Sequence, residues 1–175
     1  MAASASSTRQ VRVFVALGSN LGDSGAIVRQ AMDRLQIVSV APIVRSSLWR
    51  SDPIDCPPGS PAFINAAIEL QPRPDFTPET FLVVLQQLER ESGRVPKKVL
   101  NEARRLDLDL IAWGSTVVRT ERLTLPHPRA HERRFVLEPL AEIAPGLVLP
   151  GQTKDVAQLA EELRTSQPIT WAGKA

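Results

Sequence analysis

The sequence predicts an α+β fold in which helices pack on one face of a mostly antiparallel sheet. The length of 175 residues suits one domain, and a hydrophobic fraction of 43% is enough to form a core. Segments that alternate like strands are interspersed with segments whose apolar residues recur every three to four positions, as in helices. Their order is strand, helix, strand, strand, helix, strand. This order is typical of the split βαβ, ferredoxin-like arrangement.

The six predicted core elements are marked by their residue types. The first strand alternates in β-favouring residues, and the first helix carries an apolar stripe formed by Ile27, Ala31 and Leu35. The second helix starts at Thr77, a capping hydroxyl followed by proline, and ends at Gly93. The strands are predicted over 11–17, 43–50, 63–71 and 106–113, and the helices over 24–36 and 77–93.

Further elements are predicted downstream of this core. They are a hairpin strand over 116–119 after the Gly114-Ser115 turn, a short strand over 123–125, and helices over 135–144 and 154–163. We expect a single domain over 11–168, a disordered N-terminal tail over 1–10 and a C-terminal tail over 169–175. The proline-rich segment 51–61 cannot continue a strand ladder, so we expect it to be a surface loop.

Charge and cysteine content limit the classes of function. Twenty-one basic and nineteen acidic residues give a net charge of +2, which does not suggest a general nucleic-acid or membrane-surface binder. Basic residues are concentrated in 94–105 and 119–134, which indicates a focused anion site. The lone Cys56 excludes an intramolecular disulfide and fits a reducing compartment. With no signal peptide or apolar membrane span in the sequence, we expect a cytoplasmic protein.

The strongest functional signal is the pair Asp107 and Asp109. Alternate side chains of a strand share a face, so these carboxylates project together with their α-carbons ~6–7 Å apart. Carboxylates held side by side repel each other unless a cation lies between them, and Mg²⁺ suits oxygen ligands. The alternative is a solvent-facing strand. Aspartate is disfavoured in strands, and Ile111 and Trp113 are apolar on the same predicted face, which favours the metal site.

Neighbouring residues suggest a phosphate site. Arg104 lies three residues before Asp107 and is expected to contact phosphate. His127, fixed between two prolines, either donates to a phosphate or is structural. Asn65 and Phe63 share a strand face, where they could bind a substrate's hydrogen-bonding edge and its ring, or could simply belong to the core. The residues alone therefore indicate a Mg²⁺-dependent phosphoryl-transfer enzyme.

A series of motifs carries a resemblance to a known family. The motifs are 16–23 (ALGSNLGD), 63–67 (FINAA), Glu89, Gly93-Arg94, 104–110 (RRLDLDL), 121–129 (ERLTLPHPR), Arg133, 135–137 (FVL), Pro139-Leu140 and 143–145 (IAP). In this order they resemble the 6-hydroxymethyl-7,8-dihydropterin pyrophosphokinase family of folate biosynthesis. The resemblance runs from about Val11 to Pro150, almost the whole domain.

The resemblance implies a reaction and a set of roles. Such enzymes transfer the β,γ-pyrophosphoryl unit of ATP to the hydroxymethyl group of a reduced pterin and release AMP. Asp107 and Asp109 would hold two Mg²⁺ ions, Phe63 and Phe135 would sandwich the pterin ring, and Asn65 would hydrogen-bond it. Backbone groups near Ser51, Pro53 and Ile54 would complete the pterin pocket. The implied nucleotide-binding residues are Glu89, Arg94, Arg104, Leu110, Arg122, Thr124, His127 and Arg133, of which Arg94 and Arg104 are also implied in catalysis.

Some positions depart from the family pattern. Asn101-Glu102-Ala103 stands where Trp-Gly-Pro is common, Pro96 stands where a second arginine is frequent, and Phe63 replaces a tyrosine of some members. These changes concern loop closure and rate, and they leave both aspartates intact. The expected partners are ATP and the pterin, without nucleic acid or membrane, and we expect a monomer. The alternatives are a ferredoxin-like nucleic-acid-binding module, which has no need for paired aspartates, and an inactive relative.

Overall fold

The computed structural model describes residues 10–93 and 103–175. The strands are β1 (Val13–Ser19), β2 (Val44–Arg45), β3 (Leu48–Ser51), β4 (Phe63–Leu70), β5 (Asp107–Trp113), β6 (Val118–Arg119), β7 (Thr124–Leu125) and β8 (Ile169–Gly173). The helices are α1 (Ser24–Leu35), α2 (Pro78–Glu91), α3 (Arg134–Ile143) and α4 (Val156–Glu162), with 3₁₀ turns at Gln36–Val38 and Ala130–Glu132. Most predicted elements are therefore present within a few residues of their expected bounds.

Six strands form one antiparallel sheet. Its order is β5-β1-β4-β3-β8, and β2 also pairs with β4. With α1 after β1 and α2 after β4, this is the split βαβ order, and the predicted fold class is confirmed. The strand predicted over 43–50 is divided at Ser46. There the Ser46 amide donates to Ala67 O at 2.9 Å, and the Ser46 hydroxyl accepts from Ala67 N at 2.8 Å.

Two hydrophobic cores lie on opposite faces of this sheet. Helices α1 and α2 cover the face on which Val13, Val15 and Leu17 of β1 are buried. Helices α3 and α4 cover the other face, against Phe14 and Ala16. The alternating burial of β1 follows from the two-residue period of a strand. The sequence predicts the two core helices on one face and gives no position for the C-terminal helices, which cover the second face to give three layers.

A register shift separates the aspartates from the end of their strand. The pairing of β1 with β5 shifts between Phe14 and Val15, so the alternation of β5 is interrupted there. Ile111 keeps the face predicted for it and is buried against α3 and α4. Trp113 is buried in the opposite core, with its ring 5.6 Å from that of Phe81. The prediction that Trp113 shares the aspartates' face is therefore wrong.

The hairpin predicted between 106–113 and 116–119 is also wrong. The two residues of β6 pair instead with β7, in the register Val118 to Leu125 and Arg119 to Thr124. The turn between them is closed by Thr120, whose amide donates to Leu123 O at 2.9 Å and whose hydroxyl accepts from Leu123 N at 3.0 Å. These local hydrogen bonds favour the β6–β7 pairing over a return along β5.

The C-terminal tail expected over 169–175 is wrong for residues 169–173, which form β8 on the edge of the sheet. Ile169 pairs with Ser51, and Trp171 pairs with Trp49. Isoleucine, threonine and tryptophan favour strands, so the pairing has a clear physical basis. The N-terminal tail, predicted over 1–10, lies outside the described residues except for Gln10. No helix in the described part of the chain combines the length and the hydrophobicity needed to cross a membrane.

Candidate active site

Three adjacent strands bring the predicted polar residues into rows on the α3/α4 face of the sheet. Asn65 of β4 pairs with Gly18 of β1, and Gly18 pairs with Asp107 of β5. In the next row Asp109 lies opposite Ala16. Neighbouring strands are about 4.8 Å apart, and Asn65 and Asp107 are two strands apart. Their backbones are therefore roughly 10 Å from each other. We call Ala16, Gly18, Asn65, Asp107 and Asp109 the floor of the site.

The middle of this floor has no bulky side chain. A β-carbon added to Gly18 would lie 3.6 Å from Asn65 Oδ1 and 3.9 Å from Phe63 Cδ1, in the space between those two side chains. The glycine thus leaves a gap beside a polar amide and an aromatic ring. A flat ligand can lie against the backbone there, which a larger residue at this position would prevent.

The floor belongs to a cavity that collects most of the predicted site residues. Its predicted lining residues are Ser51, Ile54, Phe63, Asn65, Arg104, Asp107, Asp109, Arg133 and Phe135. Two chain segments, 51–56 and 129–136, contribute lining residues above the floor, and we call them the walls. Pro53 lies half-buried within the first wall without lining the cavity. The residues expected to bind a ring and those expected to bind cations therefore share one space.

The carboxylate of Asp109 lies in an environment that disfavours its ionised form. Burial, together with the neighbouring charge of Asp107, raises the pKa of Asp109 above its ordinary value. The positive charges of Arg133 and Arg104 oppose this rise. A cation bound beside Asp109 would offset both the loss of hydration and the repulsion, so the ionised pair is suited to binding one.

Arg104 is held in contact with this pair. Its Nη1 lies 2.9 Å from Asp107 Oδ2, and only 14% of its side chain is exposed. The backbone of Arg104 is fixed by two hydrogen bonds to Asn20. Arg104 N donates to the side-chain Oδ1 of Asn20 at 2.8 Å, and the backbone N of Asn20 donates to Arg104 O at 3.1 Å. Asn20 also donates through Nδ2 to Pro61 O at 3.2 Å. Asn20 therefore joins the arginine to the end of the 51–61 loop.

The buried amide of Asn65 has a defined orientation. Its Nδ2 donates to Ser51 Oγ at 2.9 Å, across the β3–β4 pairing. Asn65 is 4% exposed and lines the cavity together with Ser51 and Phe63. One edge of the amide is thus fixed by the sheet. This structural contact and ligand recognition are compatible, since a fixed amide loses little entropy when it hydrogen-bonds a ligand.

The first wall is linked to the second by an ion pair. Asp55 adopts a positive φ of 53°, an uncommon conformation for a residue other than glycine. Its Oδ2 lies 3.5 Å from Arg129 Nη2 of the second wall. Cys56 also lines the cavity, and its Sγ donates to Ile54 O at 3.3 Å. The loop predicted over 51–61 therefore lies over the floor rather than away from it.

The second wall presents a cation and an aromatic ring together. Arg133 precedes the first turn of α3, and its guanidinium carbon lies 5.6 Å from the centroid of Phe135. Both side chains line the cavity. Burial lowers the pKa of Arg133, and the adjacent charge of Arg129 acts in the same direction. An anionic ligand would be favoured beside these two arginines.

His127 lies close to the carboxylates although it does not line this cavity. Its backbone amide donates to Ile111 O at 2.9 Å, which attaches the residue to β5. Its Nδ1 accepts from Arg129 N at 3.2 Å, so the proton of the neutral ring is on Nε2. Burial lowers the pKa of His127, against the opposing charge of Asp109. The ring can therefore donate a hydrogen bond through Nε2 without carrying a charge.

The other predicted nucleotide residues do not line this cavity. Leu110 is buried in the α1/α2 core, so its backbone is the part of it that a ligand could reach. Glu89 is 4% exposed, and its Oε1 accepts from Leu108 N at 2.9 Å. Arg122 and Thr124 are exposed on the β6–β7 hairpin. Arg94 lies outside the described residues. These roles stay predictions.

Several lining residues were not identified from the sequence. They are Asp52, Asp55, Arg129, Glu132, Val136 and Gln167, besides the three β1 residues Ala16, Leu17 and Gly18. Arg129 belongs to the basic segment 119–134, which indicates an anion site but no role for this particular arginine. No sequence pattern indicates Gln167 as a lining residue, because a single glutamine after a helix is common in any surface segment.

A half-buried carboxylate pair, adjoining arginines and a cavity with aromatic lining residues on a split βαβ sheet are typical of an enzyme that binds phosphorylated small molecules. Comparison with known proteins agrees with this class. The 7,8-dihydro-6-hydroxymethylpterin-pyrophosphokinase family model matches residues 14–145. The chain belongs to this family, and the predicted membership and pyrophosphokinase class are confirmed.

Similar proteins come from several bacteria. The 2-amino-4-hydroxy-6-hydroxymethyldihydropteridine pyrophosphokinase of Haemophilus influenzae is 36% identical over 155 residues, covering 86% of this chain and 94% of that protein. The protein of the same name from Pseudomonas aeruginosa is 38% identical over 140 residues, covering 79% and 84%. In both cases the match covers more than three quarters of this chain and of the similar protein.

Other matches are to much longer proteins. The folic acid synthesis protein fol1 of Pneumocystis carinii is 36% identical over 152 residues, which cover 86% of this chain and 20% of that protein. A crystal structure of Plasmodium falciparum HPPK-DHPS with SDX-DHP has a TM-score of 0.71 at 11% identity, covering 90% of this chain and 46% of that chain. This structural likeness supports the fold. The chain spans a fifth of the fungal protein and less than half of the Plasmodium protein.

Proposed function

We propose that this chain transfers the pyrophosphoryl group of ATP to the hydroxymethyl group of 6-hydroxymethyl-7,8-dihydropterin, as a step of folate biosynthesis. The observation that carries the proposal is the row Asn65, Gly18 and Asp107, in which a residue without a side chain lies between an amide and a carboxylate. The products are AMP and the pterin diphosphate. We further propose that the enzyme acts in the cytoplasm as a monomer.

The pterin ring is proposed to lie in the gap over Gly18. Phe63 and Phe135 line the cavity and offer aromatic faces, in line with the sandwich implied by the family resemblance. Asn65 offers the buried amide oxygen to a ring N–H, while its Nδ2 is held by Ser51. Ile54, with backbone groups around Pro53, would close the outer side. This arrangement selects a flat heterocycle with donors along one edge.

The donor set of Asp107 and Asp109 fits Mg²⁺. Both are hard oxygen ligands on one face, and the described residues offer no cluster of three or more histidine, cysteine, aspartate or glutamate side chains around them. Mg²⁺ typically takes one or two carboxylates and leaves its other positions to water and substrate phosphates. Asp107 and Asp109 would hold two such ions, which would supply positive charge to offset the charge of the phosphates.

The cationic residues around the carboxylates would hold the triphosphate. Arg104 and Arg133 both line the cavity, and both lie close enough to influence Asp109 electrostatically. His127 can donate through its Nε2, since Nδ1 is occupied by Arg129 N. We assign Glu89, Arg94, Leu110, Arg122 and Thr124 to the nucleotide by position in the family motifs. Arg94 and Arg104 would also contribute to catalysis.

Catalysis then depends on orientation and charge. The hydroxymethyl oxygen attacks the β-phosphorus of ATP, and the bond from that phosphorus to the oxygen bridging it to the α-phosphorus breaks. AMP leaves with the bridging oxygen, and the hydroxyl proton is released. The floor fixes the acceptor, the arginines offset charge on the transferred group, and the walls limit access of water. The chain needs no covalent intermediate for this transfer.

Product analysis tests the proposal. The protein is incubated with ATP, Mg²⁺ and the hydroxymethyl pterin, and the nucleotides are separated. AMP should form in equal amount to pterin diphosphate, and omission of the pterin or addition of EDTA should abolish it. Formation of ADP instead of AMP, or AMP production that does not depend on the pterin, would contradict the proposal. Gel filtration with light scattering tests the monomer.

A further inference from the structure

Gln167 lines the active-site cavity but lies outside the segment 14–145 that matches the family model. Its side-chain amide makes two hydrogen bonds to the backbone of the second wall. Oε1 accepts from Arg134 N at 2.8 Å, and Nε2 donates to Glu132 O at 2.8 Å. The two bonds fall on either side of Arg133, so one amide spans the residue that carries the wall's cation.

Besides Gln167, this part of the wall is held by backbone hydrogen bonds: Arg133 N donates to Ala130 O at 3.3 Å, and Arg133 O accepts from Val136 N and Leu137 N, each at 3.0 Å. Arg133 is the N-cap residue of α3, with φ −122° and ψ 104°, and its side chain makes no capping hydrogen bond. The first amides of a helix have no partner within the helix, so a partner from elsewhere is needed. Gln167 supplies one for Arg134 N. Phe135 is the next residue of the helix, so the position of its ring depends on the backbone conformation at the start of α3.

Gln167 is itself well anchored. Its backbone amide donates to Leu163 O at 2.9 Å, and its backbone O accepts from Arg134 Nη1 at 3.3 Å. Two residues later the chain enters β8, where Ile169 pairs with Ser51 at the end of β3. The C-terminal segment thus contacts both walls, the first through its backbone ladder and the second through this amide.

We propose that Gln167 is a positioning residue for the pyrophosphoryl transfer, holding the 132–134 backbone so that Arg133 and Phe135 face the substrates. The inference rests on the proposed function of the cavity. The proposal gives the segment after α4 a role in the reaction, in addition to forming the edge strand β8. Gln167 needs no contact with the substrates to act in this way.

The test compares Gln167→Leu with wild type. Leucine has a similar volume but makes neither hydrogen bond, so the wall loses its two-point support. We expect kcat/KM for the pterin to fall about 10-fold, which corresponds to about 1.4 kcal/mol, mainly through a higher pterin KM. Gln167→Glu keeps the acceptor for Arg134 N and loses the donor to Glu132 O. It should therefore give an intermediate value and serves as a second, better tolerated variant.

Gln158→Ala is the matched control. This glutamine belongs to the same C-terminal segment, and its Oε1 also accepts from a backbone amide, that of Asp155 at 3.1 Å, but it does not line the cavity. It should lower the melting temperature and leave kcat and both KM values within about twofold. If Gln167→Leu and Gln167→Glu behave like this control, the positioning role is wrong. If wild type makes no AMP, the proposed function fails, and the inference fails with it.

Discussion

The floor and the walls of the site are built by different means. The five floor residues lie on the three strands β4, β1 and β5. Their backbone positions are fixed by the pairing of these strands. The walls, 51–56 and 129–136, consist mainly of the loop after β3 and of the turn that leads into α3, and side chains such as Arg129 and Gln167 link them to their surroundings. The amide and carboxylates, whose positions must be precise, are on the rigid sheet. The groups that enclose the substrate are on segments that can adjust.

The largest effect should come from the floor. Asp107→Ala removes one carboxylate of the pair and also the partner of Arg104 at 2.9 Å. Metal-mediated neutralisation of phosphate is worth several kcal/mol, so kcat for AMP formation should fall about 10³-fold or more. Asp75→Ala removes an exposed aspartate in a weak pair with Arg73 and should leave kcat unchanged. Activity of Asp107→Ala within tenfold of wild type would contradict the role of the pair.

Asn65→Ala should produce the next largest effect. A buried amide that pairs with the pterin edge is worth about 1–3 kcal/mol, so the pterin KM should rise roughly 10- to 100-fold while the ATP KM changes little. Ser51→Ala breaks the same 2.9 Å hydrogen bond but keeps the amide in the floor. It should therefore raise the pterin KM less. Equal effects of the two changes would mean that Asn65 acts only through the sheet.

Asp109→Asn should separate stability from activity. Burial and the charge of Asp107 raise the pKa of Asp109 in the folded protein. The ionised form therefore destabilises the fold, and this cost grows as pH rises from the ordinary carboxyl pKa through the raised one. In metal-free buffer at pH 7 the variant should have the larger free energy of unfolding. Below about pH 3 Asp109 of the wild type is protonated in both the folded and the unfolded state, so this charge-dependent difference should vanish.

Urea unfolding at the two pH values checks this sign. The variant should also lose AMP formation, because it lacks the second carboxylate. A variant less stable than wild type at pH 7 would show that the other charges around Asp109 outweigh burial. The floor would then be stabilised by its charges rather than strained by them.

The smallest effect should come from the ion pair between the walls. Arg129 and Asp55 are 51% and 65% exposed, and their charged atoms are 3.5 Å apart. Exposed pairs contribute about 0.2–1 kcal/mol and are weakened by salt. Arg129→Ala should therefore change kcat and KM by less than about fivefold, and less still at high salt. A loss comparable with that of Asp107→Ala would abolish the distinction between floor and walls.

The sequence predicts the floor better than the walls for a physical reason. Strand alternation is local, so the common face of Asp107 and Asp109 follows from their spacing. The same rule fails at Trp113, because the register shift depends on the partner strand β1. For the walls, contacts such as Gln167 to Glu132 join residues 35 positions apart in the chain. No local pattern shows which backbone group such a side chain reaches.

The family resemblance supplied what the residue pattern could not. Phe135 has no special pattern of its own, yet it lines the cavity with Phe63. The resemblance includes Asn20 in its first motif without a role for it, and it does not extend to Gln167 or to β8. That strand begins at Ile169 and has strand-forming residues. It was missed because five residues beside a chain end carry too short a signal for period counting.

A crystal structure with a non-hydrolysable ATP analogue and Mg²⁺ tests the central claim most directly. We predict density for metal ions between the triphosphate and the carboxylates of Asp107 and Asp109, with Arg104 turned from Asp107 towards a phosphate. A triphosphate bound elsewhere, or metal ions coordinated without either aspartate, would contradict the account.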